Sequence, residues 1–211
     1  SSRYGVVAMA SSTDTMGCFA KSADDIALVT SVMAGRDSRD MTTLPDYFEV
    51  QHDVSKNLRI GIIRETMTDD VDTDVRAAVN NYADALRAAG HTVEMVAMPS
   101  IKHALAIYYI VVPAEISSNL ARYDGVRYGR RAEGVKTLAE LYGRSRGEGF
   151  VTENKRRIMI GSYVLSSGFF DAYYLQAQKA RTVLINEFNT LFEQYDFLLM
   201  PTAPTPAFGI G

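Results

Sequence analysis

Apolar residues recur with the period of an α-helix or a β-strand in several parts of the chain. Between residues 74 and 89, apolar positions follow at spacings of four, three and four, and Gly90 stands where such a helix would end. Short apolar runs at residues 58–63 and 92–98 flank this helix and predict buried strands. The three segments together predict a βαβ unit with a right-handed crossover.

The remaining pattern predicts more helix than strand. Ser22 and Asp25 resemble a capping box that opens a helix ending at Gly35. Apolar positions at helical spacing run through residues 105–123, where Pro113 removes a backbone N–H and is expected to kink the helix. The other predicted elements are a short helix at 138–142, a long helix at 173–195, a strand at 197–200, and loops at 1–20 and 36–57.

Residues 148–184 predict two consecutive helices with unusual content. The first places Arg156 and Arg157 just ahead of an apolar run. A cationic pair that opens an apolar helix is costly to bury unless an anionic group meets it, so this stretch is the first place to look for a ligand. The second helix carries an aromatic cluster that is expected to lie mainly in the core: Phe169, Phe170, Tyr173 and Tyr174.

Composition excludes several classes of function. The net charge is −3 and the pI about 5.6, which is not typical of a nucleic-acid-binding surface. The single cysteine, Cys18, cannot form an internal disulfide and fits a cytoplasmic location. No apolar run is long enough to span a bilayer, so no membrane association is expected. No metal site is predicted, because the three histidines lie far apart in the sequence: His52, His91 and His103.

Two side chains are candidates for ligand binding. Arg157 lies on the apolar flank of its helix, where its guanidinium could bind a carboxylate through two parallel hydrogen bonds. The alternative is a solvated Arg156–Arg157 pair whose stems cover apolar surface. Tyr108 lies beside the apolar stripe and near Pro113, so its phenol could face a ligand; the alternative is a core tyrosine with a satisfied hydroxyl.

Four segments of the chain resemble the amidase signature family, in particular the A subunits of glutamyl-tRNA(Gln)/aspartyl-tRNA(Asn) amidotransferases. They occur in the family's order and at similar spacing, so the resemblance spans essentially the whole chain. The segments are SRYGVVAMASSTDTMG at 2–17, AEISSNLARYDGVRYG at 114–129, EGFVTENKRRIMIGSYVLSSGFFDAYYLQAQKARTVL at 148–184 and PTAPTPAF at 201–208.

The resemblance implies an α/β fold, with part of a mixed central sheet covered by helices. Residues 1–211 would form a single fragment of an amidase signature domain. Within it, residues 1–99 would supply loop, helix and βαβ parts of the core, residues 100–195 a mostly helical part, and residues 196–211 a strand and a cut end. The family usually has proline where this chain has Cys18.

The resemblance also implies a chemistry. In this family a lysine, a bridging serine and a nucleophilic serine form a triad; the nucleophile attacks the side-chain amide of glutamine and expels ammonia. These three residues precede the segment that matches residues 2–17, so no residue of this chain receives a catalytic role, and the chain alone is expected to be inactive. An acidic residue that meets the α-amino group of glutamine follows Gly211 in the family.

Two substrate contacts match positions of this chain. The arginine that binds the α-carboxylate of glutamine matches Arg157, and a tyrosine of the glutamine pocket matches Tyr108. The implied partners are the B and C subunits of the amidotransferase, with tRNA held mainly by the partner subunit. No cofactor is expected in this part of the complex, and ATP and Mg would bind the partner subunit. The alternatives are an amidase signature hydrolase acting on another amide and a non-catalytic interaction module.

Overall fold

The structure, a computed structural model, describes residues 1–44 and 57–210, and it is an α/β fold. The strands are β1 (Arg59–Ile63), β2 (Thr92–Val96) and β3 (Phe197–Leu199). The helices are α1 (Ala23–Met33), α2 (Thr73–Ala88), α3 (Ala104–Leu120), α4 (Leu138–Gly149), α5 (Thr152–Val164) and α6 (Gln176–Phe192). Shorter helical turns cover Arg64–Thr66, Pro99–His103 and Phe170–Leu175.

The chain divides into two compact units. The first contains the described residues of Ser1–Val54 together with Ile110–Phe169, and the second those of Ser55–Tyr109 together with Phe170–Gly211. The chain passes from the first unit to the second between the described residues 44 and 57, returns to the first within α3, and enters the second again at Phe170.

The second unit is built on a parallel sheet in the order β2–β1–β3, with Ile62 of β1 opposite Met95 of β2 and Leu199 of β3. Helix α2 connects β1 to β2, which confirms the predicted βαβ unit. Its N-terminus is capped by Asp72, whose carboxylate accepts a hydrogen bond from the backbone N–H of Asp74 at 2.9 Å. The core of this unit contains Ile60, Ile62, Ala83 and Val93.

The first unit is organised around the second half of α3. Val112, Ile116 and Leu120 form a buried cluster with Ala10 of the N-terminal loop. Their spacing of four residues places all three side chains on one face of the helix. Ile158 of α5 packs against the same cluster, so α5 is fixed to α3 by apolar contact.

Helices α3 and α5 also approach each other very closely at Gly161. A Cβ atom at this position would lie 2.6 Å from the carbonyl carbon of Pro113 and 2.6 Å from Cβ of Ser117. The hydroxyls of Ser117 and Ser162 are hydrogen bonded at 2.9 Å. Only glycine fits between the two backbones here, and the contact therefore fixes the position of α5 along α3.

The N-terminal loop is held on α3 by two polar side chains. Asn119 donates from Nδ2 to the backbone carbonyl of Met9 at 3.1 Å and to the hydroxyl of Ser11 at 2.9 Å. Glu115 accepts a hydrogen bond from the backbone N–H of Ser12 at 2.8 Å. These contacts connect residues more than 100 positions apart, so they order a loop that has no regular hydrogen-bond pattern of its own.

Most predicted elements are confirmed, and two are corrected. The helix predicted at 138–142 continues to Gly149, because Leu141 and Ser145 bury one face of α4 and offset the low helix propensity of its glycines. The long helix predicted from residue 173 begins as the π-helical turn Phe170–Leu175 and becomes α-helical only at Gln176. The predicted kink at Pro113, which lies inside α3, stays a prediction.

Part of the predicted loop at 36–57, including Pro45 and His52, lies outside the described residues. Within residues 1–44 and 57–210, no helix combines the length and the apolar character that crossing a membrane requires.

The close contact at Gly161 predicts a large effect of a single methyl group. Replacing Gly161 with alanine should lower the free energy of unfolding by about 2–3 kcal/mol, because the new Cβ meets backbone atoms of α3 that cannot move aside. Urea denaturation followed by circular dichroism measures the change.

Gly143 offers a matched control within α4, because a Cβ atom there meets nothing within 4 Å. Gly143→Ala should be neutral or raise the free energy of unfolding by about 0.5–1 kcal/mol through helix propensity. Equal effects of the two substitutions would contradict a close helix contact at Gly161.

Candidate functional site

Helix α5 carries the predicted carboxylate-binding arginine. The helix begins at Thr152, so Arg156 and Arg157 lie in its middle and do not open it as the sequence suggested. Arg156 is exposed, whereas the Arg157 side chain retains 24% of its accessible surface. Arg157 lies one turn before Gly161, and the contact between α3 and α5 therefore fixes the backbone that carries it.

A carboxylate of the same helix holds the Arg157 guanidinium. Glu153 lies four residues earlier, and its Oε1 accepts a hydrogen bond from Nε of Arg157 at 2.8 Å. Side chains four residues apart are neighbours on a helix surface, and glutamate N-terminal to the cation is the favourable order. Glu153 also lies in the first turn, where a negative charge interacts favourably with the helix dipole.

The start of α5 borders a cavity in the first unit. The cavity has a volume of about 320 Å³, which is large enough for a small ligand. Asn154 lines it, but Arg157 does not. The other lining residues come from the N-terminal loop, the end of α3 and the segment up to α5: Val7, Leu120, Tyr123, Gly129, Arg130, Ser145, Gly149 and Phe150.

The walls of this cavity are held by hydrogen bonds from α4. Arg146 donates from Nη1 to the backbone carbonyls of Leu120 at 3.0 Å and Tyr123 at 3.3 Å, which satisfies carbonyls at the end of α3. Ser145 is buried and accepts a hydrogen bond from the backbone N–H of Ala132 at 3.0 Å. The loop after α3 is therefore ordered by two adjacent side chains of one helix.

A second cavity of about 290 Å³ lies within the N-terminal loop and is bordered by Arg3, Asp14, Arg39 and Asp40. The Arg39 side chain donates hydrogen bonds to Asp37 and lowers the pKa of that carboxyl to about 2. The backbone N–H of Arg3 does the same for Asp40, whose pKa is also about 2. Both carboxylates are charged at neutral pH, and they tie the start of the chain to the segment after α1.

Tyr108 lies on the part of α3 that belongs to the second unit. Its side chain is 40% exposed and meets the ring of Tyr109 edge-on at a centroid distance of 5.3 Å. The alternative of a core tyrosine is therefore wrong. Tyr108 and Arg157 fall in different units.

The aromatic cluster after α5 does not form a core, contrary to the prediction. Phe169, Phe170 and Tyr174 are half-buried, and Tyr173 is 41% exposed. Helix propensity and residue spacing could not predict this exposure, because the segment adopts a π-helical turn whose side chains do not follow the 3.6-residue period.

Within residues 1–44 and 57–210, no group of three or more His, Cys, Asp or Glu side chains is placed to hold a metal ion.

Two residues that determine the surroundings of Arg157 were not identified from the sequence: Glu153 and Gly161. The four-residue spacing of Glu153 and Arg157 is a recognisable signal for an ion pair within a helix. Gly161 carries no such signal, because its role depends on a backbone that lies about 50 residues earlier in the chain.

Comparison with known proteins identifies the family. The family model described as Amidase matches residues 1–211. The A subunit of the glutamyl-tRNA(Gln) amidotransferase of Granulibacter bethesdensis is 50% identical over 214 residues, which cover 100% of this chain and 43% of that protein. The corresponding protein of Carboxydothermus hydrogenoformans is 46% identical and is covered to 44%.

A solved structure agrees with this result. The crystal structure of the glutamyl-tRNA(Gln) amidotransferase A subunit from Thermotoga maritima matches with a TM-score of 0.72 and 34% identity, over 99% of this chain and 41% of that one. The chain thus spans less than half the length of the relatives it matches. Over its full length, the chain belongs to the Amidase family.

Proposed function

We propose that this chain is part of a glutamine amidase subunit, which releases ammonia from glutamine for the transamidation of mischarged Glu-tRNA(Gln) or Asp-tRNA(Asn). The observation that carries the proposal is the similarity, over the whole chain, to relatives named as the A subunit of glutamyl-tRNA(Gln) amidotransferase. Likeness to the amidase fold alone would leave the amide substrate open, since one fold hosts many activities.

Arg157 is proposed to bind the α-carboxylate of glutamine. A guanidinium presents N–H donors in a planar fork that matches the two oxygens of a carboxylate. The partial burial of this side chain, with 24% of its surface accessible, strengthens such a charge-assisted bond relative to one in open water. Tyr108 is proposed to line the glutamine pocket, and its partly exposed ring leaves surface for a ligand.

The remaining parts of the reaction are assigned to residues outside this chain. A serine nucleophile would attack the side-chain amide, ammonia would leave, and water would cleave the glutamyl ester. We assign the triad to the part of the domain that precedes the segment matching residues 2–17. The proposed partners are the B and C subunits, with ATP, Mg and most tRNA contacts on the partner subunit, and the proposed location is the cytoplasm.

Substitution of Arg157 tests the proposed site in the full-length protein in complex with its partners. Arg157→Ala should raise the KM for glutamine about 30- to 160-fold, because a charge-assisted bidentate hydrogen bond contributes roughly 2–3 kcal/mol. Arg157→Lys should recover only part of this loss, since an ammonium cannot bind both oxygens in the same planar geometry. Ammonia release at varied glutamine concentration measures KM and kcat.

The neighbouring Arg156 provides the matched control. It lies on the same helix and is exposed, so Arg156→Ala should leave the KM for glutamine within about twofold of the unsubstituted enzyme. Equal losses for the two alanine variants would contradict the assignment of Arg157.

A comparison of amide substrates tests the alternative of an amidase that acts on another amide. If the full-length protein hydrolyses simple aliphatic amides more efficiently than glutamine, that alternative is favoured.

The purified 211-residue chain is expected to release no ammonia from glutamine, because we assign no triad residue to it. A fluorescence-coupled ammonia assay at high protein concentration measures this directly. Ammonia release that a serine-directed inhibitor abolishes would contradict the prediction. A pull-down with the B and C subunits tests whether the chain can act as an interaction module. Ammonia release from glutamine by the full-length protein would reject a purely non-catalytic role.

A further inference from the structure

We propose that Glu153 is a positioning residue that orients the Arg157 guanidinium for the carboxylate of the substrate. The inference rests on the proposed function of Arg157 and extends it to a side chain that would not itself touch glutamine. Its physical basis is the hydrogen bond from Nε of Arg157 to Oε1 of Glu153 at 2.8 Å.

An arginine side chain has about four rotatable bonds, and an unrestrained guanidinium samples many orientations. The contact with Glu153 fixes the Nε edge of the planar group. Because the guanidinium is rigid and planar, a hydrogen bond at Nε also restricts the orientations that the terminal nitrogens Nη1 and Nη2 can adopt. A carboxylate that approaches these nitrogens meets donors whose orientation is already restricted, and less orientational entropy is lost on binding.

The backbone under this pair is fixed as well. Glu153 and Arg157 lie on consecutive turns of α5, and Gly161 holds the next turn against Pro113 and Ser117 of α3. A shift of α5 along α3 would bring a residue with a Cβ atom into the place of Gly161, where that atom would clash with α3. The position and the orientation of the guanidinium are therefore set by two independent contacts of the same helix.

The solvent exposure of the Glu153–Arg157 pair allows a positioning role to be distinguished from a role in folding stability. The Glu153 side chain is 54% exposed and that of Arg157 is 24% exposed. Because the Glu153 carboxylate is largely exposed, water screens its attraction to Arg157, and the pair contributes little to folding. Loss of Glu153 should therefore change substrate binding while the thermal unfolding temperature stays nearly constant.

The test uses the full-length protein in complex with its partners, in four forms: the unsubstituted enzyme, Glu153→Ala, Arg157→Ala and the double variant. Glu153→Ala should raise the KM for glutamine about three- to fivefold with kcat within about twofold, since it loosens binding without removing the binding group. In the Arg157→Ala background, Glu153→Ala should have no further effect, because the group that it orients is absent. Calorimetric titration with glutamine gives Kd for each form.

Two further variants sharpen the result. Glu153→Gln keeps an oxygen acceptor at the same reach, so it should recover part of the affinity lost in Glu153→Ala. Glu148 is the matched control: it pairs with Arg144 four residues earlier in α4 at 3.2 Å and also with Arg130 at 3.1 Å. Glu148→Ala should leave the KM for glutamine unchanged.

The outcomes distinguish this inference from the proposed function. If Arg157→Ala does not weaken glutamine binding, the assignment of Arg157 itself is wrong. If Arg157→Ala weakens binding but Glu153→Ala does not, only the positioning role of Glu153 is overturned. An equal effect of Glu153→Ala in both backgrounds also overturns it, because Glu153 would then act independently of Arg157.

Discussion

The first unit depends on the space that Gly161 leaves between α3 and α5. Any larger residue would place its Cβ 2.6 Å from Ser117 Cβ, so the helices would have to separate. Separation would break the hydrogen bond between Ser117 and Ser162 and withdraw Ile158 from the buried cluster on α3. Three kinds of interaction therefore hold α5 in one place. Arg157 lies one turn before Gly161, so its backbone is fixed by the same interactions.

The same half of α3 organises the N-terminal loop. Asn119 and Glu115 hydrogen bond to the loop, and Ala10 of the same loop joins the adjacent apolar cluster of the helix. Two of the segments by which this chain resembles its family, residues 2–17 and 114–129, are thus joined by hydrogen bonds. Their sequences are distant, but their side chains satisfy one another, and each segment needs the other to bury its polar groups.

Local periodicity was sufficient to predict the elements whose packing follows it. Strands β1 and β2 and helix α2 each show a regular apolar pattern and end at recognisable residues such as Gly90. The end of α4 could not be predicted in this way, because its glycines, including Gly143, lower the helix propensity of the segment. The helix is stabilised by the burial of Leu141 and Ser145, which the sequence pattern does not show.

The surroundings of Arg157 were predictable in part for a similar reason. The resemblance pointed to Arg157, and the spacing to Glu153 can be read from the sequence once that arginine matters. No local pattern indicates that Gly161 must lack a side chain, because the neighbouring backbone comes from another helix. The exposure of the aromatic cluster could not be predicted either, because the spacing of apolar side chains in an irregular turn does not indicate which of them are buried.

The pairing of Arg157 with Glu153 bears on which ligands this position can accept. Glu153 places a carboxylate beside the Arg157 guanidinium before any ligand arrives, in a partly exposed pair that adds little to folding stability. The pair is close to neutral, so a ligand that carries only a carboxylate would leave an unbalanced negative charge. A zwitterionic amino acid brings no net charge, and its carboxylate gains the oriented N–H donors without this penalty. A pre-paired arginine is therefore compatible with the proposed recognition of free glutamine, in which the oriented N–H donors of Arg157 meet the carboxylate.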